Sequence, residues 1–198
     1  MAGETEFTIG AQARYSDGPG GKVTRIVIDP ATRTVTHLTV EPSHDFSPAR
    51  LVPLDLVEST DPEIRLRCTL AEFNHLDPAE EVQTVEDIAP EFLGPADLAS
   101  PLASGQPAEV IVGDVVPPGE TEVSRGDHVE AVDGEIGRVQ GVIIDPADRR
   151  VTHVLLKEGH LWGRKEVAIP ASAISDMTDG IVLDLTKKQV EDLPPLTR

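Results

Sequence analysis

In several short runs of this chain, broken by glycine, proline and aspartate, apolar and polar residues alternate, as from Ile64 to Cys68. Alternation of period two, rich in β-branched residues, predicts strands with one face turned to a core. The runs Thr5 to Tyr15, Gly21 to Ile28, Val35 to Val40, Arg50 to Val57 and Ile64 to Cys68 predict about five strands. Asp17-Gly18 and Asp29-Pro30-Ala31 supply the turns between them, proline presetting the backbone at a turn's second position. Thr69-Leu-Ala-Glu72 then reads as a capping box, in which the hydroxyl and the carboxylate satisfy each other's free amides at a helix start. Pro78 ends that short helix.

The whole pattern occurs twice. IDPATRTVTH, Ile28 to His37, returns 116 positions later as IDPADRRVTH, Ile144 to His153, and GETEFTIG from Gly3 returns as GETEVSRG from Gly119. The register runs without a gap through His44 and His160; one inserted residue then aligns Pro53 with Pro170, Leu66 with Leu183 and Thr69 with Thr186. The second strand set is Glu122 to Val132, Gly137 to Ile144, Val151 to Lys157, Glu166 to Ile174 and Ile181 to Leu185, followed by the capping box Thr186 to Gln189. A sheet this small exposes long edges unless it curls closed. The expected fold is therefore mainly β: two small barrels in tandem, each closed by a short C-terminal helix. The expected boundaries are residues 1–78 for the first barrel, 79–116 for a linker and 117–198 for the second barrel. Two separate barrels packed face to face with approximate two-fold symmetry are the expected arrangement, with a homodimer open as a further level of assembly.

Charge sharpens this division. Residues 1–78 carry 12 acidic and 7 basic side chains, residues 117–198 carry 15 and 10, and residues 79–116 carry 8 acidic and none basic. An acidic chain without a basic stripe repels phosphate backbones, so direct nucleic-acid binding is not expected. The linker is proline-rich and acidic, yet Val82, Val85, Ile88, Phe92 and Leu93 offer apolar contacts and Val110-Ile-Val112 offers a further strand, so it reads as semi-ordered. No apolar run reaches the roughly 20 residues a membrane span needs, and MAGETEFTIG lacks the regions of a secretory signal, which predicts a cytoplasmic protein. The single cysteine, Cys68, reads as a buried, unreactive thiol.

The segments DGEIGRVQGVIIDPADRRVTHVLL, HLWGRKEVAIPASAI and DGIVLDLTKKQVEDLPP, with a weaker echo in the first copy, resemble the PRC-barrel domain. That domain is shared by the cytoplasmic part of the photosynthetic reaction-centre H subunit and the C-terminal domain of the ribosome maturation factor RimM. The chain lacks the membrane helix of the one and the separate N-terminal domain of the other, so it looks most like stand-alone tandem PRC-barrel proteins of bacteria. The resemblance implies a non-enzymatic adaptor or assembly role, with no catalytic residues and no cofactor to carry over.

Candidate chemistry is sparse. No nucleophile and base, phosphate-cradling glycine loop or carboxylate pair stands out, so no enzyme activity is expected. The duplicated histidines, His37 with His44 and His153 with His160, lie seven positions apart; with Asp29 or Asp145 they would form a histidine-dependent metal site, against the plainer expectation of half-buried rings satisfied locally. The loop GHLWGRKEV holds the only tryptophan, and His160, Leu161, Trp162, Arg164 and Lys165 together have the composition of a protein-binding hot spot, with Phe46 at the matching place in the first copy. The expected partner is another protein. An accessory role in ribosome or RNA maturation, through a basic ribosomal protein, is the alternative.

Overall fold

The computed structural model describes residues 4–43, 47–84, 110–158, 166–177 and 180–194. The first half contributes β1 (Thr5–Thr8), β2 (Gln12–Tyr15), β3 (Gly18–Asp29), β4 (Thr34–Pro42), β5 (Arg50–Pro53), β6 (Val57–Ser59), β7 (Ile64–Leu66) and α1 (Leu70–Phe73). Between the halves lie β8 (Glu80–Thr84) and β9 (Val110–Asp114). The second half contributes β10 (Thr121–Ser124), β11 (His128–Ala131), β12 (Gly134–Ile144), β13 (Val151–Glu158), β14 (Glu166–Pro170), β15 (Ile174–Asp176), β16 (Ile181–Leu183) and α2 (Lys187–Glu191).

The architecture is mainly β, with two seven-stranded sheets that follow the same path, β5-β4-β3-β2-β7-β6 and β14-β13-β12-β11-β16-β15. The seventh strand of each sheet comes from the other half. β1 lies antiparallel on β12, Thr5 opposite Ile144 and Thr8 opposite Gly141, while β10 lies on β3, Thr121 opposite Ile28 and Ser124 opposite Arg25. The strands therefore do not partition into two self-contained sets, as the repeat had led us to expect.

The cause is local. The predicted strands Thr5 to Tyr15 and Glu122 to Val132 are each cut in two at a glycine, Gly10 at φ +100° and Gly126 at φ +97°. These are left-handed backbone positions that glycine adopts without steric cost, and there the chain leaves one sheet for the other. On β3, strand β2 covers the stretch from Gly18 to Lys22 and leaves the stretch from Arg25 to Ile28 open on that edge; β10 fills it. At Gly141 the arriving arm comes so close that a Cβ would stand 2.2 Å from the Phe7 carbonyl oxygen, so only glycine fits.

The exchange merges the interiors. Phe7 and Ile9 from the first arm, Val123 from the second, and the inward residues of both sheets form one continuous buried cluster. The capping boxes form as predicted: Thr69 accepts from the Glu72 amide and Thr186 from the Gln189 amide, with the reciprocal side-chain bond present in both. Each helix is a single turn that sends one apolar side chain, Phe73 or Val190, into the core. Cys68 is buried, and its thiol is pushed up by desolvation. The predicted strand at Val110-Ile-Val112 belongs to β9, which pairs antiparallel with β8, Glu80 opposite Asp114 and Thr84 opposite Val110. Residues 85, 88, 92 and 93 lie outside the described residues. Among the described residues no helix is long and apolar enough to cross a membrane.

Candidate functional site

The duplicated text IDPATRTVTH and IDPADRRVTH lies along the seam between the two halves. Each copy opens with an aspartate that folds its own turn: Asp29 accepts from the Ala31 amide at 2.9 Å and the Thr32 hydroxyl at 2.8 Å, and Asp145 accepts from the Ala147 amide at 2.8 Å. The Thr32 hydroxyl and then the Ala31 amide hold the Asp29 carboxyl below its ordinary range. Arg33 and Arg149 close these turns at φ 57° and 62°, a left-handed conformation that side chains other than glycine rarely take. The strained geometry aims each carbonyl at the opposite half. The Val35 amide donates to the Arg149 carbonyl at 3.0 Å, and the Val151 amide donates to the Arg33 carbonyl at 2.8 Å. Since Val35 aligns with Val151 and Arg33 with Arg149, the two bonds are exchanged by a local two-fold axis.

The arginine side chains then diverge. Arg33 donates to the Ala171 carbonyl at 2.6 Å and the Ile174 carbonyl at 2.9 Å, clasping the 3-10 turn of the second half. Arg149 instead pairs with the Asp55 carboxylate in the matching turn of the first half. That hydrogen bond, and then the guanidinium charge, hold the Asp55 carboxyl low. A cleft of about 320 Å³, lined by Phe7, Leu54, Asp55, Thr60, Arg67 and Arg149 among others, stays open on this side of the axis. On the other side Met177, aligned with Thr60, is buried and its carbonyl accepts from Thr121.

The histidines join the same seam. A bulge between the Val27 and Ile28 pairings, matched by one between Ile143 and Ile144, inserts Thr36 and Thr152 as extra residues. This breaks the strict alternation expected for Val35, His37 and Thr39, and turns threonine and histidine toward the arm arriving from the other half. Thr36 donates to Glu120 at 2.6 Å and its oxygen lies 3.0 Å from Nδ1 of His37, which is 3.7 Å from the same carboxylate. Thr152 donates to Glu4 at 3.1 Å and lies 3.1 Å from Nδ1 of His153, which is 3.6 Å from Glu4. Each hydroxyl also reaches a backbone carbonyl of the neighbouring strand, Val27 for Thr36 at 3.4 Å and Ile143 for Thr152 at 3.2 Å. Each half-buried ring thus has local partners at Nδ1, while Asp29 spends both oxygens on its own turn and Asp145 one. Among the described residues no three histidine, cysteine, aspartate or glutamate side chains gather to hold a metal. His44 and His160 lie outside the described residues, as do Phe46, Leu161, Trp162, Arg164 and Lys165.

Sequence reasoning singled out the histidines but not their partners. Glu4 and Glu120 were visible in the duplicated GETE, and Arg33 and Arg149 in the duplicated turn, but nothing in a single strand's pattern says that its counterpart lies across an axis. A further junction is also hidden there: Arg25 reaches Asp114 at 2.6 Å, Glu122 at 3.3 Å and Glu80 at 3.5 Å, tying the base of the β8–β9 ladder to the second arm. Burial raises the Glu122 carboxyl, against the lowering pull of Arg25.

The geometry defines a class before any comparison does: a small mainly β domain of six strands in the order of the second sheet, completed by a seventh strand lent to it. Residues 125–190 match the family model of the PRC-barrel domain. The match begins at Arg125, just after β10, and covers β11 to β16 and most of α2. Comparison with curated proteins gives no match.

Proposed function

We propose that this chain is a non-enzymatic, cytoplasmic adaptor or assembly module made of two PRC-barrel copies in tandem, with a protein as its partner. The matched family over residues 125–190 and the identical strand path in the first half support the tandem reading. The observation that carries the adaptor reading is the reciprocal strand exchange. It fixes the two halves as one body and so fixes the spacing of β4 and β13, after which the sequence runs on into residues 44–46 and 159–165. A binding protein whose two related halves are held at a set distance gains from that rigidity, because less freedom is lost on association.

The second segment carries the contact. It holds an indole between glycines and a cationic pair, where the first holds His44, Asp45 and Phe46 followed by Pro48. The test is a pull-down with the full chain, followed by titration of the identified partner against Trp162→Ala and Phe46→Ala. Loss of a buried hot-spot tryptophan costs about thirtyfold in affinity, while loss of a rim aromatic costs little. Equal, negligible losses would overturn the assignment of the contact to Trp162.

A further inference from the structure

The same outer face of the two sheets carries opposite charge. In the first half β2 and β7 run parallel with Ala13 opposite Ile64 and Arg14 opposite Arg65; in the second, β11 and β16 run parallel with Val129 opposite Ile181 and Glu130 opposite Val182. In each pair of strands one parity is buried and the other faces out. The outward residues of the first half are Arg14, Ser16, Arg65 and Arg67; at the aligned places the second half has Glu130, Val132, Val182 and Asp184. Three arginines and a serine therefore stand where the other half has two carboxylates and two valines.

Both faces are costly if left bare. Arg14 and Arg65 are directly opposed, a like-charge pairing that destabilises a sheet. Glu63 takes Arg14 at 3.4 Å, Glu58 lines the adjacent depression and the Arg67 charge acts on Asp55 across the cleft, but neither Arg65 nor Arg67 has an ion pair within 4.0 Å among the described residues. On the second half Val132 is 70% exposed and Val182 38%, two of the three large apolar side chains most open to solvent among the described residues. An arginine stem can cover a valine while its guanidinium reaches a carboxylate beside it.

We propose that the chain associates with a second copy of itself head to tail, the β2–β7 face of one molecule docking on the β11–β16 face of the next. Arg65 and Arg67 meet Glu130 and Asp184, and their stems cover Val132 and Val182. Because the joined faces differ, the contact is heterologous and leaves a free face at each end, so it builds short chains unless a ring closes. This interaction stands apart from the adaptor reading, which concerns the segment holding Trp162.

Sedimentation of the full chain over a concentration series tests it. The wild type is expected to gain average mass as concentration rises. Arg65→Glu with Arg67→Glu makes both faces acidic, Glu130→Lys with Asp184→Lys makes both basic; each variant is expected to lose at least about tenfold in self-affinity. An equimolar mixture of the two variants is expected to associate again, and to dissociate when salt screens the contact. All four residues are exposed, so folding is checked by an unchanged thermal midpoint; Val132→Ser, which moves no charge, is a second probe and is expected to weaken association severalfold. A wild type that stays monomeric at every concentration, variants that associate like the wild type, or a mixture that stays monomeric would each overturn the proposal.

Discussion

The two exchanged arms lie in the same register on opposite sheets, yet different side chains anchor them. The first arm buries Phe7 and Ile9; at the aligned places the second arm has Val123, also buried, and Arg125, which is exposed. The receiving strands are adapted in turn, Gly141 admitting the first arm closely where Arg25 meets the second with three carboxylates. One backbone plan is thus secured in two ways, by apolar burial on one side of the axis and by a charge cluster added on the other. The two halves share the path of the chain and differ in the chemistry that holds it.

The largest way to break this comparison is to empty the two sockets. Phe7→Ala is expected to destabilise the chain by about 4 kcal/mol, and Val123→Ala by about 2 kcal/mol, in urea unfolding. Equal losses would mean that the arms are equivalent anchors after all. A smaller effect sharpens it from the other end. The two capping boxes are built alike, so Thr69→Ala and Thr186→Ala are each expected to cost about 1 kcal/mol, although the turns they start bury a phenylalanine in one half and a valine in the other.

The smallest effect concerns the charged junction. Burial makes Glu122 titrate higher in the folded chain than in the unfolded one. Between those two values the folded chain holds the proton that the unfolded chain has released, so this group makes folding less favourable as pH rises through the window just above the ordinary carboxylate range. Glu122→Gln is expected to remove that loss: its stability relative to wild type rises through the window and is constant below it. A difference that falls with rising pH would show Arg25 to be the dominant influence.

Much of the fold was legible because it is local. Alternation located most strands, although 3-10 turns at Leu54–Leu56 and Ala171–Ala173 cut the predicted runs Arg50 to Val57 and Glu166 to Ile174; Thr69-x-x-Glu72 and Thr186-x-x-Gln189 located the starts of both helices, which end at Phe73 and Glu191, ahead of the prolines expected to stop them. What was not legible depends on distance. The exchange of β1 and β10 rests on Gly10 and Gly126 taking a left-handed turn, and a glycine in a strand-like run is equally consistent with a bulge that keeps the strand at home. His37 and His153 were singled out correctly as half-buried at a seam, but the bulges at Thr36 and Thr152 decide what they face, and bulges leave no mark in an alternating pattern. The partners Glu4 and Glu120 stand just before the exchanged strands β1 and β10 of the opposite half, and only the assembled sheets bring them near.

The exchange itself is tested most directly by nuclear Overhauser contacts from Phe7 in the full chain. Strand lending places Phe7 opposite Val142 on β12 and puts Val123 opposite Ile26 on β3, so contacts between Phe7 and Val142 are predicted. If each half instead kept its own first strand, Phe7 would occupy the place of Val123; contacts from Phe7 to Ile26 in place of Val142 would contradict the account.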